Sequence, residues 1–202
     1  MRIMRIEKLL DKGPFSASEA WAQLEEQLRG CMKALEWPRG SGKFLLHDQS
    51  GKKRGQGSGV KPIKNGFMLC LQRHGWLVQH KLSIATVKKP GPMDAAYAVG
   101  DQYFGLEWET GNISSSHRSL NKMVLGMTKG VLIGGALIVP TRAMYKYLTD
   151  RVGNYEELEP YFDVWRRVEL ENALLIIIAI EHDGVSADVP RIPKGTNGRA
   201  LI

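Results

Sequence analysis

The sequence is short of cysteine and of long apolar segments. Only two of its 202 residues are cysteines, which excludes a disulfide-rich secreted scaffold. Its longest apolar runs, Val131–Val139 and Ala173–Ile180, fall well below the roughly 20 residues that a membrane-spanning helix needs. The N-terminal stretch also lacks the apolar core of a signal peptide. We therefore expect a cytoplasmic protein with no membrane partner, in which Cys31 and Cys70 are buried free thiols.

Internal repeats are missing, and so are zinc-ligand spacings, because the five histidines are scattered and the two cysteines lie far apart. The composition, 43% hydrophobic and 24% charged, is that of an ordinary globular protein. At this length we predict a single domain over residues 1–202, in which the proline- and glycine-containing segment 185–202 forms an extended arm. The 28 Lys and Arg exceed the 21 Asp and Glu, and the formal charge of +7 favours an anionic partner such as nucleic acid or a membrane surface.

Apolar periodicity predicts a chain in which helices and strands alternate. The first helix should begin at Ser16, where Ser16 and Glu19 form a capping box, and the second should run from about Pro62 to just before Gly75. Three further helices are predicted, one with the apolar face Leu120, Val124 and Met127, one over 141–152, and one over 154–168 that Pro160 interrupts. Strands are predicted near 44–46 and at 76–82, 93–99, 103–109, 131–139 and 174–180.

Three acidic residues carry the strongest chemical signal. Because side chains alternate along a strand, Glu107 and Glu109 should share one face, and an antiparallel hairpin would bring Asp94 close to them. Converging carboxylates repel one another unless a cation neutralises them, and oxygen ligands alone suit a hard ion such as Mg²⁺. The alternative is that the two glutamates form the solvated face of an edge strand.

The residues that follow this strand suit DNA recognition. Asn112, Ser114 and Arg118 stand at the start of a predicted helix, and such side chains hydrogen-bond base edges, while a helix N-terminus attracts phosphate. Alternatively, Ser114 caps the helix and Arg118 and Lys122 form its solvated face. The catalytic carboxylates and the side chains that contact bases would thus lie within about a dozen residues of each other in the sequence.

The stretch EWETGNISSSHRSLNK at 107–122, with YLTDRVGNYEELEPYF at 147–162 and IPKGTNG at 192–198, resembles the BamHI family of type II restriction endonucleases. Weaker similarity at KPIK, 61–64, and GPMD, 91–94, extends the resemblance over most of the chain from about residue 60. It implies an α/β fold with the PD-(D/E)xK nuclease core, a central mixed sheet flanked by helices, and a homodimer acting on double-stranded DNA. The implied activity is Mg²⁺-dependent double-strand cleavage at GGATCC, after the first G of each strand, leaving 5′ overhangs.

When the family's residue roles are carried over by position, the resemblance implies a different role for each site residue. Asp94 and Glu107 correspond to metal ligands, the main-chain carbonyl of Trp108 to a further ligand, and Glu109 to the group that orients or deprotonates the attacking water, in the place of the usual lysine. The helices around 115–129 and 155–168 would form the subunit interface, and a companion DNA methyltransferase is expected in the same system. Base contacts are implied for Asn112, Ser114, Arg118, Asp150 and Arg151, and contacts near the DNA backbone for Lys64 and Lys122.

The sequence departs from the family pattern in two places. Where the family has a further glutamate after a tryptophan, this chain has Gln79 and His80, and a neutral side chain there should weaken one metal site. An alternative function follows, a cleavage-impaired, sequence-specific DNA-binding protein on the same fold. The basic C-terminal helix expected from the family is also missing, so a minor-groove contact would have to come from 194–199.

Overall fold

The structure is a computed structural model that describes residues 1–53, 55–84, 91–149 and 152–193. The strands are β1 Arg2–Lys12, β2 Leu45–His47, β3 Leu77–His80, β4 Met93–Val99, β5 Gln102–Trp108, β6 Leu132–Pro140, β7 Ala173–Glu181 and β8 Gly184–Ser186. The helices are α1 Glu19–Lys33, α2 Lys61–Arg73, α3 Ile113–Thr128, α4 Arg142–Tyr145, α5 Tyr155–Leu158 and α6 Phe162–Arg166, with 3₁₀ turns at Phe15–Ala17 and Glu159–Tyr161. Among these helices none is long and apolar enough to cross a bilayer.

Six strands form one mixed sheet in the order β1-β7-β6-β5-β4-β3. The central strands β5, β6 and β7 run parallel to one another. Strand β1 pairs antiparallel with β7 at one edge, and β4 and β3 continue the sheet antiparallel beyond β5 at the other. Strands β2 and β8 form a separate two-stranded parallel sheet. The predicted α/β architecture, a central mixed sheet flanked by helices, is confirmed.

Both faces of the sheet are covered, as the alternation along β7 shows. Leu174 and Ile176 belong to an apolar cluster that also contains residues of α1 and α2. Leu175 and Ile177 belong to a second cluster, which contains residues of α3 and of the 155–165 segment. A strand that is buried on both faces reads as a continuous apolar run, which is why β6 and β7 were recognisable from sequence.

The hairpin that the site depends on forms as predicted. Strand β4 has the predicted bounds, and β5 begins one residue earlier and ends one residue earlier than expected. The strands pair antiparallel, with Ala95 opposite Leu106 and Ala96 opposite Gly105. The turn contains Gly100, whose φ of 58° is a left-handed conformation that glycine adopts without steric cost.

Several local predictions were wrong. The edge strand β1 was not predicted, because its many charged and exposed residues conceal strand periodicity. Helix α1 is capped by Ser18, whose hydroxyl accepts from the amide of Trp21 at 3.2 Å, and not by the capping box at Ser16. The helix predicted over 141–152 shrinks to α4, because the chain beyond it bonds to another loop, with Ser58 and Leu148 in a bridge. The predicted arm includes β8, and Ile192 is buried, while 194–202 lies outside the described residues.

The prediction of two free thiols was also wrong. Cys31 of α1 and Cys70 of α2 form a disulfide, with their Cα atoms 5.6 Å apart. Their sequence separation of 39 gave no hint of this pairing, because the two helices come side by side only through packing on the same face of the sheet. Separation in the sequence therefore said nothing about separation in space.

Candidate active site

Asp94 lies near the start of β4 and is almost fully buried, at 7% exposure. Its Oδ2 accepts a hydrogen bond from the main-chain N–H of Trp108, at 2.8 Å. Its Oδ1 accepts from the Lys64 ammonium and, at 3.2 Å, from Nε2 of Gln79. Three donors from three elements therefore hold this carboxylate in one orientation, which is how a buried charge is accommodated.

Glu107 lies across the hairpin from Asp94. The register that places Ala95 opposite Leu106 sets Asp94 opposite Glu107 when it is continued by one residue, and residues directly opposite on adjacent strands share one face. Burial, and next the negative charge of Asp94, raise the pKa of Glu107 to about 7, while Lys122 and Lys64 act to lower it. The two acids are therefore close enough to influence each other's ionisation.

Two lysines reach this acidic pair from opposite faces of the sheet. Lys64 belongs to α2, which packs in the cluster on one face, and Lys122 belongs to α3, which packs on the other. The Lys122 ammonium donates to Oε1 of Glu107 and to the carbonyl of Pro92, both at 2.9 Å. The resemblance implied contacts near a DNA backbone for both lysines, and the structure places both beside the carboxylates.

Gln79 completes a row across three strands. Val78 pairs with Ala95 and His80 with Met93, so Gln79 stands opposite Asp94, and its side chain bonds to that carboxylate. Its φ of 53° is unusual for a residue other than glycine. His80 instead packs its ring 5.5 Å from that of Tyr103. Of the two residues predicted to stand in place of the family's additional glutamate, Gln79 is the one whose side chain bonds to Asp94.

Glu109 does not join the acidic pair. Strand β5 ends at Trp108, and beyond it the Glu109 carboxylate accepts from the amide of Gly111 and the hydroxyl of Ser116, both at 2.5 Å. The expectation that three carboxylates converge was wrong, since the oxygens of Asp94, Glu107 and Glu109 do not all lie within 4.8 Å of one another in the described part of the chain. Strand alternation fails here because the chain turns toward α3. Burial raises the pKa of Glu109, against the lowering effect of its hydrogen bonds to Ser116 and Gly111.

Ser116 is a site residue that the sequence reasoning missed. It is fully buried, on the apolar stripe of α3 that continues through Leu120, Met123 and Met127. A polar residue in register with such a stripe needs a buried partner, and here the partner is Glu109. The helical spacing of Ser116 relative to these apolar residues could have identified it from the sequence, once the first residue of the helix was known.

Asn112 is the N-cap of α3, and its side chain accepts from the amide of Ser115 at 3.3 Å. The alternative that Ser114 caps this helix was therefore wrong. Asn112, Ser114 and Arg118 are all exposed, so their side chains are accessible to a ligand approaching the N-terminal end of α3. Asp150 and Arg151, the other two predicted base-reading residues, lie outside the described residues.

Trp108 links the acidic pair to the core. Its indole is buried and packs 5.2 Å from the ring of Phe67 on α2, while its main-chain N–H fixes Asp94. Its carbonyl as a metal ligand stays a prediction. The same residue that anchors the end of β5 thus also orients the first carboxylate.

The chain resembles known proteins in both sequence and fold. The family model described as "Restriction endonuclease BamHI" matches residues 1–199. The chain is 49% identical over 201 residues to the type II restriction enzyme OkrAI of Oceanobacter kriegii, covering 100% of both chains. It is 36% identical over 169 residues to the type II restriction enzyme BamHI of Bacillus amyloliquefaciens, covering 80% of this chain and 75% of that one. The fold is similar to that of the BglII endonuclease in complex with a DNA 16-mer, with a TM-score of 0.60 at 11% identity over 89% of this chain and 79% of that one.

Proposed function

Because the chain belongs to the BamHI family of type II restriction endonucleases, we propose that it cuts both strands of DNA at GGATCC, after the first G of each strand, in a reaction that depends on Mg²⁺. We also propose that residues 1–202 form one nuclease domain, which acts as a homodimer in the cytoplasm. A companion DNA methyltransferase would belong to the same system without binding to it. The observation that carries the proposal is the acidic pair of the buried Asp94 and the partly buried Glu107, set side by side on β4 and β5.

The donor set at this pair fits a hard divalent cation. It consists of carboxylate oxygens, and the pKa of Glu107 is raised partly by the charge of Asp94, so a nearby cation would relieve repulsion between the two acids. Asp94, Glu107 and the carbonyl of Trp108 are the groups that would hold the ion. When bound, Mg²⁺ lowers the pKa of a coordinated water and stabilises the charge that develops on a phosphoryl group.

The other residues bind DNA and move the proton. With its pKa raised by burial, Glu109 is suited to accept a proton from the attacking water at its carboxylate. Arg118 has the geometry to grip a guanine through two hydrogen bonds, and Asn112 can pair with an adenine edge. Lys64 and Lys122 would attract the backbone phosphate next to the acidic pair.

A homodimer is supported by the surface around α3. Leu125 on α3, and Tyr161 and Val164 on the 155–168 segment, are large apolar side chains that are 39%, 49% and 64% exposed. The ring of His117 joins the two regions, at 4.7 Å from Tyr161. Large exposed apolar side chains on two elements that contact each other suit an interface, and a two-fold dimer matches a palindromic site.

The proposal is tested by digesting a plasmid of known sequence with Mg²⁺ and sequencing the cut ends. We expect ends at GGATCC only, with cleavage abolished in Asp94→Ala and retained in Asp101→Ala, a matched change in the exposed turn of the hairpin. Cuts at an unrelated sequence would refute the specificity and leave the nuclease intact. Specific binding of GGATCC without cleavage would instead support the cleavage-impaired alternative, which the neutral Gln79 beside Asp94 favours.

A further inference from the structure

The disulfide between α1 and α2 has a histidine beside it. Cys31 is fully buried, Cys70 is partly buried, and His74, the C-cap residue that follows α2, is exposed. The two sulfurs and a ring nitrogen of His74 all lie within 4.8 Å of one another. In the part of the chain that the structure describes, this is the one cluster of three such groups at that spacing. It lies outside the candidate active site.

These three side chains are the donors that zinc prefers. Zn²⁺ binds thiolate sulfur at about 2.3 Å and imidazole nitrogen at about 2.0–2.1 Å, in tetrahedral geometry, so its ligand atoms lie roughly 3.5 Å apart. Cys70 lies in the last turn of α2, and His74, the C-cap residue four positions later, brings its ring to the same side. Small rotations of the side chains would close the set around an ion, with the exposed side at His74 left for a water or another ligand.

We propose that Cys31, Cys70 and His74 form a Zn²⁺ site in the reduced protein. The disulfide prevents zinc binding, and a dithiol reductant that breaks the disulfide makes the site available. One thiolate of the reductant attacks one cysteine sulfur, which breaks the protein disulfide, releases the other cysteine and forms a mixed disulfide. The second thiolate of the reductant then attacks the reductant's own sulfur in that mixed disulfide and releases the remaining cysteine. The reductant leaves as a cyclic disulfide, and two electrons and two protons have passed to Cys31 and Cys70. Zinc then replaces the two thiol protons, which are released to solvent, and takes the imidazole in its neutral form.

Replacement of the disulfide by a zinc ion would preserve the link between α1 and α2. Helix α2 carries Lys64, which contacts Asp94, and packs its Phe67 against Trp108, so its attachment to α1 bears on the candidate active site. In a reducing compartment the disulfide is lost, and an ion held by both cysteines would tie α1 to α2 in its place. Binding to the folded state alone would also stabilise the reduced protein.

The test uses Co²⁺ as a spectroscopic substitute for zinc. The full-length protein is reduced with a phosphine, freed of reductant under anaerobic conditions, and titrated with Co²⁺ and then with Zn²⁺. We expect one Co²⁺ per chain, with the thiolate charge-transfer and tetrahedral absorption bands, displaced by zinc because zinc binds such sites more tightly. The oxidised protein should show neither band, and it serves as a control that requires no substitution.

Substitution of His74 distinguishes a three-ligand metal site from a pair of cysteines that only forms a disulfide. His74→Ala should weaken Co²⁺ binding by about 10-fold or more, whereas His47→Ala, at a histidine outside the cluster, should leave it unchanged. Absence of the charge-transfer band in the reduced protein would overturn the proposal, and so would equal binding by the parent and His74→Ala. Co²⁺ held only by the carboxylates would lack the thiolate band. Neither result depends on DNA cleavage, so the proposed function stands or falls separately.

Discussion

Replacing Glu107 with glutamine should stabilise the metal-free protein, and increasingly so as the pH rises. Glu107 lies mostly buried beside Asp94, with 13% of its side chain exposed, and its pKa is raised from 4.5 to about 7, chiefly by burial and then by the charge of Asp94. Glutamine has nearly the same shape and can still accept the hydrogen bond of Lys122, but it never ionises. The variant therefore removes one charge and leaves the packing of the site in place.

The sign and size follow from linkage between protonation and folding. Because the folded pKa lies above the unfolded one, the fold favours protonated Glu107, and this contribution is complete below pH 4.5 and is lost as the pH rises through about 7. The variant avoids that loss. Its advantage in unfolding free energy should be about 1 kcal/mol at pH 5 and about 3 kcal/mol at pH 8.

The assay is denaturant unfolding at several pH values between 5 and 8, with a chelator present. Glu169→Gln, at an exposed glutamate after α6, is the matched control and should change stability little at any pH. Adding Mg²⁺ should stabilise the parent more than the Glu107→Gln variant, because one ligand is lost. A variant no more stable than the parent at pH 8, or an advantage that does not grow with pH, would refute the reasoning.

Three further predictions concern Ser116, Gln79 and Arg118. Ser116→Ala should lower the unfolding free energy by about 1–3 kcal/mol, because a buried carboxylate oxygen of Glu109 loses a donor; Ser114→Ala on the exposed face of α3 is the control in denaturant unfolding. Gln79→Glu should lower the thermal midpoint in chelator and increase the rise on adding Ca²⁺, because it adds a carboxylate beside Asp94; an unchanged response to Ca²⁺ would contradict this. Arg118→Ala should reduce cleavage of GGATCC by about 10-fold or more, a loss of about 1–3 kcal/mol, measured as kcat/KM on a short duplex, and Arg118→Lys should restore little of it.

Local patterns in the sequence predicted the part of the site that one hairpin supplies. Asp94 and Glu107 lie on adjacent strands joined by a short turn, so alternation and antiparallel pairing were enough to bring them together. The same reasoning failed for Glu109, two residues further on. There the strand has ended, and the direction of the side chain depends on donors from the start of α3, which no strand pattern describes.

The sequence by itself was enough to predict the buried apolar strands of the core, the α/β class, the β4–β5 hairpin and the family to which the chain belongs. Those features rest on local periodicity and on short contiguous motifs. Only the tertiary structure decided that Lys64 and Lys122 reach the acidic pair from opposite faces of the sheet, and that Cys31 and Cys70, 39 residues apart, are bonded. The physical reason is that these contacts are made between elements distant in sequence, and packing of helices on the sheet sets their distances.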